Sequence, residues 1–358
     1  MTPRVPRGLI ACACTFIILV SAAVADDCGP LKIVASADLK MARGDRAAFV
    51  PVTLQGQAKY MLLDTGGFAN EITASTAASL GLESHKTPTL RIYDVKGNFV
   101  DHATTVPEFA IGDLKGSNVD FVVGPDDLFP DNDKIAGVLG PGTLRFYDVA
   151  LDFANRKITL LSQDHCEGKV IYWKADAVAV VPMQVTKMSG HVAVPVVLDG
   201  QKLNALIDTG ATSSVLNLSV AEGDFKLDTK QSSMVPVRTL GDRDKSMVYR
   251  HTFKSLAFEG IAVANPVFNI IPDLERGQME RPPPIGTRIK NTSIEEGLPD
   301  MLIGMDILRH LHLYVAYKEQ KLYVTPASTS VAVASSAPSA APATSAPAAA
   351  LSPPAPAH

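Results

Sequence analysis

Hydrophobic and polar positions alternate twice along this chain in nearly the same way. Between Phe49 and Leu54 the apolar side chains fall at Val50, Val52 and Leu54, and between Val192 and Leu198 at Val192, Val194, Val196 and Leu198. A period of two means half-buried strands. Gln55-Gly56 and Asp199-Gly200 follow as hairpin turns. Each turn leads into a second apolar run, Met61-Leu62-Leu63 and Ala205-Leu206-Ile207, which stops abruptly on Asp64-Thr65-Gly66 and Asp208-Thr209-Gly210. The pattern is that of a buried strand delivering a carboxylate to a tight turn that glycine permits. Beyond the first aspartate, the Ala-rich run Ile72–Leu80 with Gly81 as a stop predicts a short helix. The corresponding run Val215–Ala221 predicts a shorter, weaker one. Arg91–Val100 around Gly97 and Val237–Lys245 around Gly241 read as polar hairpins.

One Asp-Thr-Gly tripeptide at a strand end is usually an ordinary turn. Here the repeat extends far beyond the tripeptide, which makes it a repeat of a domain. Leu39, Met41, Val50-Pro51-Val52, Gly56-Gln57, Asp64 and Gly97 return as Met183, Val185, Val194-Pro195-Val196, Gly200-Gln201, Asp208 and Gly241, all 144 residues later. Phe121 and Pro125-Asp126 return as Phe268 and Pro272-Asp273 at an offset of 147. Val138-Leu139-Gly140, Phe153 and Lys157 return as Leu302-Ile303-Gly304, Tyr317 and Lys321 at 164, so the second copy carries about 17 extra residues between Asp273 and Gly304.

An apolar run before Asp-Thr-Gly, a hairpin glycine and then an apolar-apolar-Gly segment, within about 120 residues, resembles the aspartic peptidase lobe, in particular the retropepsin-like domains of bacterial exported proteins. The resemblance covers roughly residues 37–326, twice over. It implies an all-β fold with few short helices: two tandem retropepsin-like β-barrel lobes with a cleft between them. It also implies that the strands ending at Gly140 and Gly304 thread beside the aspartate loops. Asp64 and Asp208 would be the catalytic pair, supported by Thr65, Gly66, Thr209 and Gly210, with the threonine hydroxyls bonding across to the opposite loop. The hairpins carrying Tyr93, Gly97 and Gly241 would form flaps over the cleft. The chemistry is economical: two carboxylates about 3 Å apart cannot both ionise, so they share one proton and supply acid and base together. The implied activity is that of an aspartic endopeptidase acting on peptide or protein substrates without a cofactor or metal. A non-catalytic peptide binder that keeps the fold is the alternative. After Asp-Thr-Gly the family usually has Ala, Ser or Thr; the sequence departs from this in the first copy, which has Gly67, while the second has Ala211.

The rest of the chain sets the context. Its 358 residues, 46% hydrophobic and 20% charged, suffice for two domains with real cores. Arg4 and Arg7, an apolar stretch from Leu9 to Val24 and then Ala23-Val24-Ala25 read as a signal peptide over residues 1–25, with an uncleaved anchor as the alternative. Removing it takes two arginines and no acid, moving the formal charge from -4 to -6, which argues against a nucleic-acid partner. The expected destination is the bacterial periplasm or the exterior, with no stable membrane association. Cys28 and Cys166 are then the cysteines that remain in an oxidising compartment, and a disulfide between them is expected, two free thiols being the alternative. It would tie the N-terminal lead, 26–36, to the linker, 161–180, that separates a first lobe at 37–160 from a second at 181–326. The linker length permits pairing of lobes within one chain, as a monomer, or between chains, as a dimer. Arg281-Pro282-Pro283-Pro284 marks the extra segment as an excursion, and 327–358, rich in Ala, Pro and Ser, cannot build a core. His310 and His312 make a poor metal site, so no metal is expected.

Overall fold

The computed structural model describes residues 28–87, 92–93, 99–129, 132–186, 189–240, 245–273 and 299–327. The expected signal peptide, the extra segment from 274 to 298, the tail from 328, Gly97 and Gly241 lie outside them. Strands dominate, with four short helices among the described residues: Ala74–Ser79, Pro141–Leu144, Leu218–Gly223 and Met305–Leu308. No helix among the described residues is long and apolar enough to cross a membrane.

The two copies build the same sheet. Alternation buries Ala48, Val50, Val52 and Leu54 of the strand Ala48–Leu54. The chain turns at Gln55 and Gly56, with φ of 47° and 77°, into the strand Gln57–Leu63; Asp199 and Gly200, with φ of 44° and 87°, do the same before Gln201–Ile207. Two successive left-handed residues are what a two-residue hairpin needs to match strand twist. The strand Ile135–Leu139 then runs parallel to Gln57–Leu63, Leu139 opposite Leu63, and antiparallel to Glu71–Thr73. It therefore fills the gap between the strands on either side of the Asp64 loop. Met301–Ile303 fills the equivalent gap beside Gln201–Ile207 and Val215–Asn217.

The first helix is shorter than the sequence predicts. Glu71–Thr73 is strand, pairing in parallel with Val122–Gly124, and the helix begins only at Ala74, its N-cap Thr73 accepting from the Thr76 amide. Gly81, φ 66°, follows its end. The second helix is not the weaker one. Val215–Asn217 is likewise drawn into a parallel ladder with Asn269–Ile271, and the helix follows at Leu218–Gly223, also six residues long. Sheet pairing of β-branched and apolar residues overrides local helix preference in both places. The polar hairpins form as expected at their feet: Ile92 and Tyr93 pair with Val100 and Phe99, and Val235–Thr239 pairs with Met247–Thr252.

A six-stranded antiparallel sheet joins the copies, in the order Ile33–Asp38, Lys157–Leu161, Asp148–Asp152, Leu311–Ala316, Lys321–Pro326 and Ala179–Pro182. Thus residues 33–36 of the expected lead and 179–180 of the expected linker are strand. At its centre Val149 faces Val315, Ala150 faces Tyr314 and Leu151 faces Leu313. Ala150 and Tyr314 are equivalent residues of the two copies, so the pseudo-twofold axis passes between them. One face of the sheet joins a continuous apolar core that includes Leu63, Leu151, Ile207 and Leu313. The linker covers the other, where Trp173 stacks on His312 at 3.8 Å between ring centres and donates to the Thr325 hydroxyl. Asp148, fully buried, is held by His165 at 2.7 Å, by the Tyr314 hydroxyl and by the Tyr317 amide. Cys28 and Cys166 are bonded to each other across 138 residues.

Because the bond closes so long a loop, replacing both cysteines by Ala lowers the free energy of unfolding by about 2–5 kcal/mol. Urea unfolding of the two proteins measures this, and identical midpoints would mean that the bond adds no stability.

Candidate active site

Asp64 and Asp208 stand at the ends of their strands, each with its amide bonded to the threading strand, Asp64 N to Leu139 O and Asp208 N to Ile303 O, both at 3.0 Å. Each loop then folds back on its own carboxylate. Gly66 N donates to Asp64 Oδ1 at 2.9 Å, and the Gly67 amide also bonds Asp64. Gly210 N and Ala211 N donate to Asp208 Oδ1 at 2.8 and 3.1 Å.

Four hydrogen bonds lock the loops to each other. Thr65 Oγ1 donates to Ile207 O at 2.7 Å and accepts from Thr209 N at 3.1 Å; Thr209 Oγ1 donates to Leu63 O at 2.9 Å and accepts from Thr65 N at 3.1 Å. Both threonines are buried, so each hydroxyl's donor and acceptor roles are met without water. The approach is close enough to dictate the next residue. A Cβ on Gly66 would lie 2.3 Å from Asp208 Cγ, and one on Gly210 would lie 2.4 Å from Asp64 Cγ. Each glycine therefore makes room for the carboxylate of the other lobe, a stronger demand than turn geometry alone.

The carboxyl groups meet over the two glycines, and two carboxylates brought so close cannot both ionise, so the pair holds a proton. Burial, then the neighbouring charge of Asp208 and the bond to it, push Asp64 up to about 8. Burial also raises Asp208, against the lowering effect of its bonds with Asp64, Gly210 and Ala211 and the charge of His191. One proton is thus retained by the pair through weakly acidic pH.

Residues that sequence reading overlooked support the loops from behind. In the first copy Asn70 Oδ1 accepts from Gly140 N at 3.2 Å, while its Nδ2 donates to Thr143 Oγ1 at 2.8 Å. In the second, Ser214 Oγ accepts from Gly304 N at 3.0 Å and donates to Asp306 Oδ1 at 2.6 Å. The pairs share a job but not a chemistry, so a search for identities between copies passes over them. His191 Nε2, from the second lobe, donates to Gly67 O at 3.0 Å. It too was overlooked, and the signal was its mismatch: the first copy has Ala47 there.

Of the flap candidates, Tyr93 lies in the first hairpin and Gly97 and Gly241 fall outside the described residues. A cavity of about 460 Å3 opens between the helix Ala74–Ser79 and the foot of that hairpin, lined by Ala77, Leu82, Val100, His102 and Pro125 among others, and includes neither aspartate. Among the described residues no three His, Cys, Asp or Glu side chains are grouped to hold a metal ion.

Two lobes of one chain, each contributing an Asp-Thr-Gly loop to a shared centre, define the aspartic protease class of fold. The profile of the aspartyl protease family matches residues 50–141 and 194–307, more than half of the chain. The chain belongs to that family. Among solved structures it is similar to the basic 7S globulin from soybean, at 9% identity and a TM-score of 0.49 over 83% of this chain and 95% of that one. It is also similar to the aspartic proteinase from Irpex lacteus, at 15% identity and a TM-score of 0.46 over 82% and 97%. A retropepsin-like aspartic protease from Rickettsia conorii covers 43% of this chain with 96% of its own, at 17% identity and a TM-score of 0.29. No curated protein sequence matches the chain.

The raised carboxyls make the site a net cost to stability. A carboxyl that holds its proton more tightly when folded loses stability as pH rises from its unfolded value near 4 to its folded one near 8. Asp64→Asn therefore stabilises the fold at pH 8, by on the order of 1–3 kcal/mol, and hardly at all at pH 4. Thermal unfolding at the two pH values measures it; equal shifts, or destabilisation at pH 8, would refute the assignment.

Proposed function

We propose that this protein is an exported aspartic endopeptidase whose catalytic groups are Asp64 and Asp208. The observation that carries the reading is the symmetric pair of carboxyls sharing a proton, each held by its own loop's amides and locked to the other by the threonine hydroxyls. In the reaction a water lies between the two. The ionised carboxylate takes its proton as the water oxygen bonds to the peptide carbon, and the protonated partner gives its proton to the carbonyl oxygen. The resulting gem-diol then collapses: the C–N bond breaks as nitrogen takes a proton, and the pair returns to one shared proton. The proton belongs to the pair throughout, so acid and base are not fixed roles. No cofactor enters this scheme. The substrate is a peptide or protein segment held under the two hairpins. Export is supported by the leader-like N-terminus and by the Cys28–Cys166 bond, which suits an oxidising compartment.

A peptide-library digest tests the reading, with the purified protein, with Asp64→Asn and Asp208→Asn, and with pepstatin. Cleavage by the parent, a loss of about a thousandfold or more in each variant and inhibition by pepstatin are expected. A parent that binds peptides but cuts none would be a binding protein, and a single variant retaining parental activity would exclude a shared pair.

The pH optimum follows from the residues after each turn. Gly67 and Ala211 offer no hydroxyl, and Thr212 is exposed, so each loop gives its carboxylate only backbone amides and the one-proton window lies high. Activity is expected to peak at weakly acidic pH. Ala211→Ser, by adding a donor that favours the ionised form, moves the profile toward acid. Gly67→Ser is the poorer probe because its Cβ would lie 3.0 Å from Asp64 Oδ2. A parental optimum near pH 2, or no acid shift in Ala211→Ser, would contradict this.

A further inference from the structure

The two aspartate loops also differ in how the carbonyl of the residue after Asp-Thr-Gly is held. In the second lobe Ala211 O accepts from the amide of Met305, the first residue of the helix Met305–Leu308, at 2.8 Å. The equivalents in the first lobe are Gly67 and Pro141, the first residue of the helix Pro141–Leu144. Proline has no N–H, so that bond cannot form. Gly67 O accepts instead from His191 Nε2 of the other lobe at 3.0 Å.

The loop that delivers His191 is adapted to the task. In the first copy Ala42 N donates to Ala47 O at 2.9 Å; in the second the same bond runs from Thr186 N to His191 O at 3.0 Å. Two alanines have thus become a threonine and a histidine at the closing positions of one turn. The Thr186 hydroxyl takes the His191 amide at 2.9 Å, fixing the base of the side chain. Gly190, with φ of 72°, lies directly on the proline: a Cβ there would meet Pro141 Cβ at 2.8 Å and Arg145 Cδ at 3.3 Å. The residue just before the replacement donor thus packs on the proline that lacks one.

We propose that His191 is a positioning residue for the first aspartate loop, supplying across the lobe boundary the hydrogen bond to Gly67 that Pro141 cannot. The inference rests on reading Asp64 and Asp208 as the catalytic pair. Gly67 is the more flexible of the two residues that follow Asp-Thr-Gly, and its amide bonds Asp64, so its carbonyl is where the loop most needs an anchor. The anchor is also titratable. Among the described residues its charge acts on Asp208 of its own lobe, and the Arg145 side chain lies against the neighbouring Gly190. Its positive form favours ionised Asp208 and has no counterpart on the other side, so it makes the pair unequal.

The test compares the full-length parent with His191→Ala, His191→Gln and the double variant His191→Ala, Pro141→Met. Hydrogen exchange of the amides from Thr65 to Ala69 is read first. His191→Ala is expected to speed it about tenfold while the central strands at Leu313 and Leu151 stay protected. Pro141→Met, by returning the amide, should recover most of the protection, and His191→Gln, whose side-chain amide can still donate, should retain part of it. Unchanged exchange in His191→Ala, or a loss that Pro141→Met fails to mend, overturns the proposal. Peptide hydrolysis gives the second reading. The double variant should regain the kcat lost in His191→Ala, while its acid limb lies at higher pH than the parent's because the imidazolium is gone; an unmoved limb refutes the electrostatic part. A parent that hydrolyses nothing would defeat the peptidase reading, and the exchange comparison would still decide the role of His191.

Discussion

Everything at the centre of this molecule depends on two threonine hydroxyls, each bonded to the main chain of the other lobe. A buried hydroxyl that gives and receives a bond is worth little more than water when intact, but its loss strands a donor and an acceptor with no solvent to satisfy them. That asymmetry makes the interlock unforgiving. It holds the loops near enough that the opposite carboxyl fills the space above each glycine, and this closeness raises both carboxyls. The chemistry and the instability of the site share one cause.

The sheet beneath repeats the symmetry at larger scale. Ala150 faces Tyr314 across the axis in the six-stranded sheet, and Thr65 faces Thr209 across it in the loops. Because the threading strands bond both aspartate amides, displacement of one lobe relative to the other would reach the carboxyls through rigid ladders. A sheet that contains strands from both lobes resists such displacement by packing and by backbone pairing together.

Much of this was legible in the sequence because it is written twice. The offsets of 144, 147 and 164 reappear as ladder registers: Thr53 faces Ala110 and Val197 faces Ala257. The pairing of aspartates and the threading strands follow from the repeat and from the family it resembles, and the bonded cysteines from their being the two left once a leader is removed. What escaped notice has a common physical origin. Residues 72–73 and 215–217 read as helix because local composition does not register a parallel partner about 50 residues away. Asn70 with Thr143, and Ser214 with Asp306, were passed over because equivalent work is done by different groups. His191 escapes a search for identities because it differs from Ala47, its counterpart in the first copy, and makes a bond that Pro141 lacks.

The bond between Cys28 and Cys166 encloses almost the whole first copy in a covalent ring. A single cut anywhere inside that ring leaves both pieces attached, and the strands on either side of the nick remain tethered at high effective concentration. The second copy has no such closure among the described residues; there a nick is resisted by the sheet alone. For a protein that would carry a peptide-cutting centre between its halves, the ring keeps a nicked first half assembled in place, a safeguard that the second half lacks among the described residues.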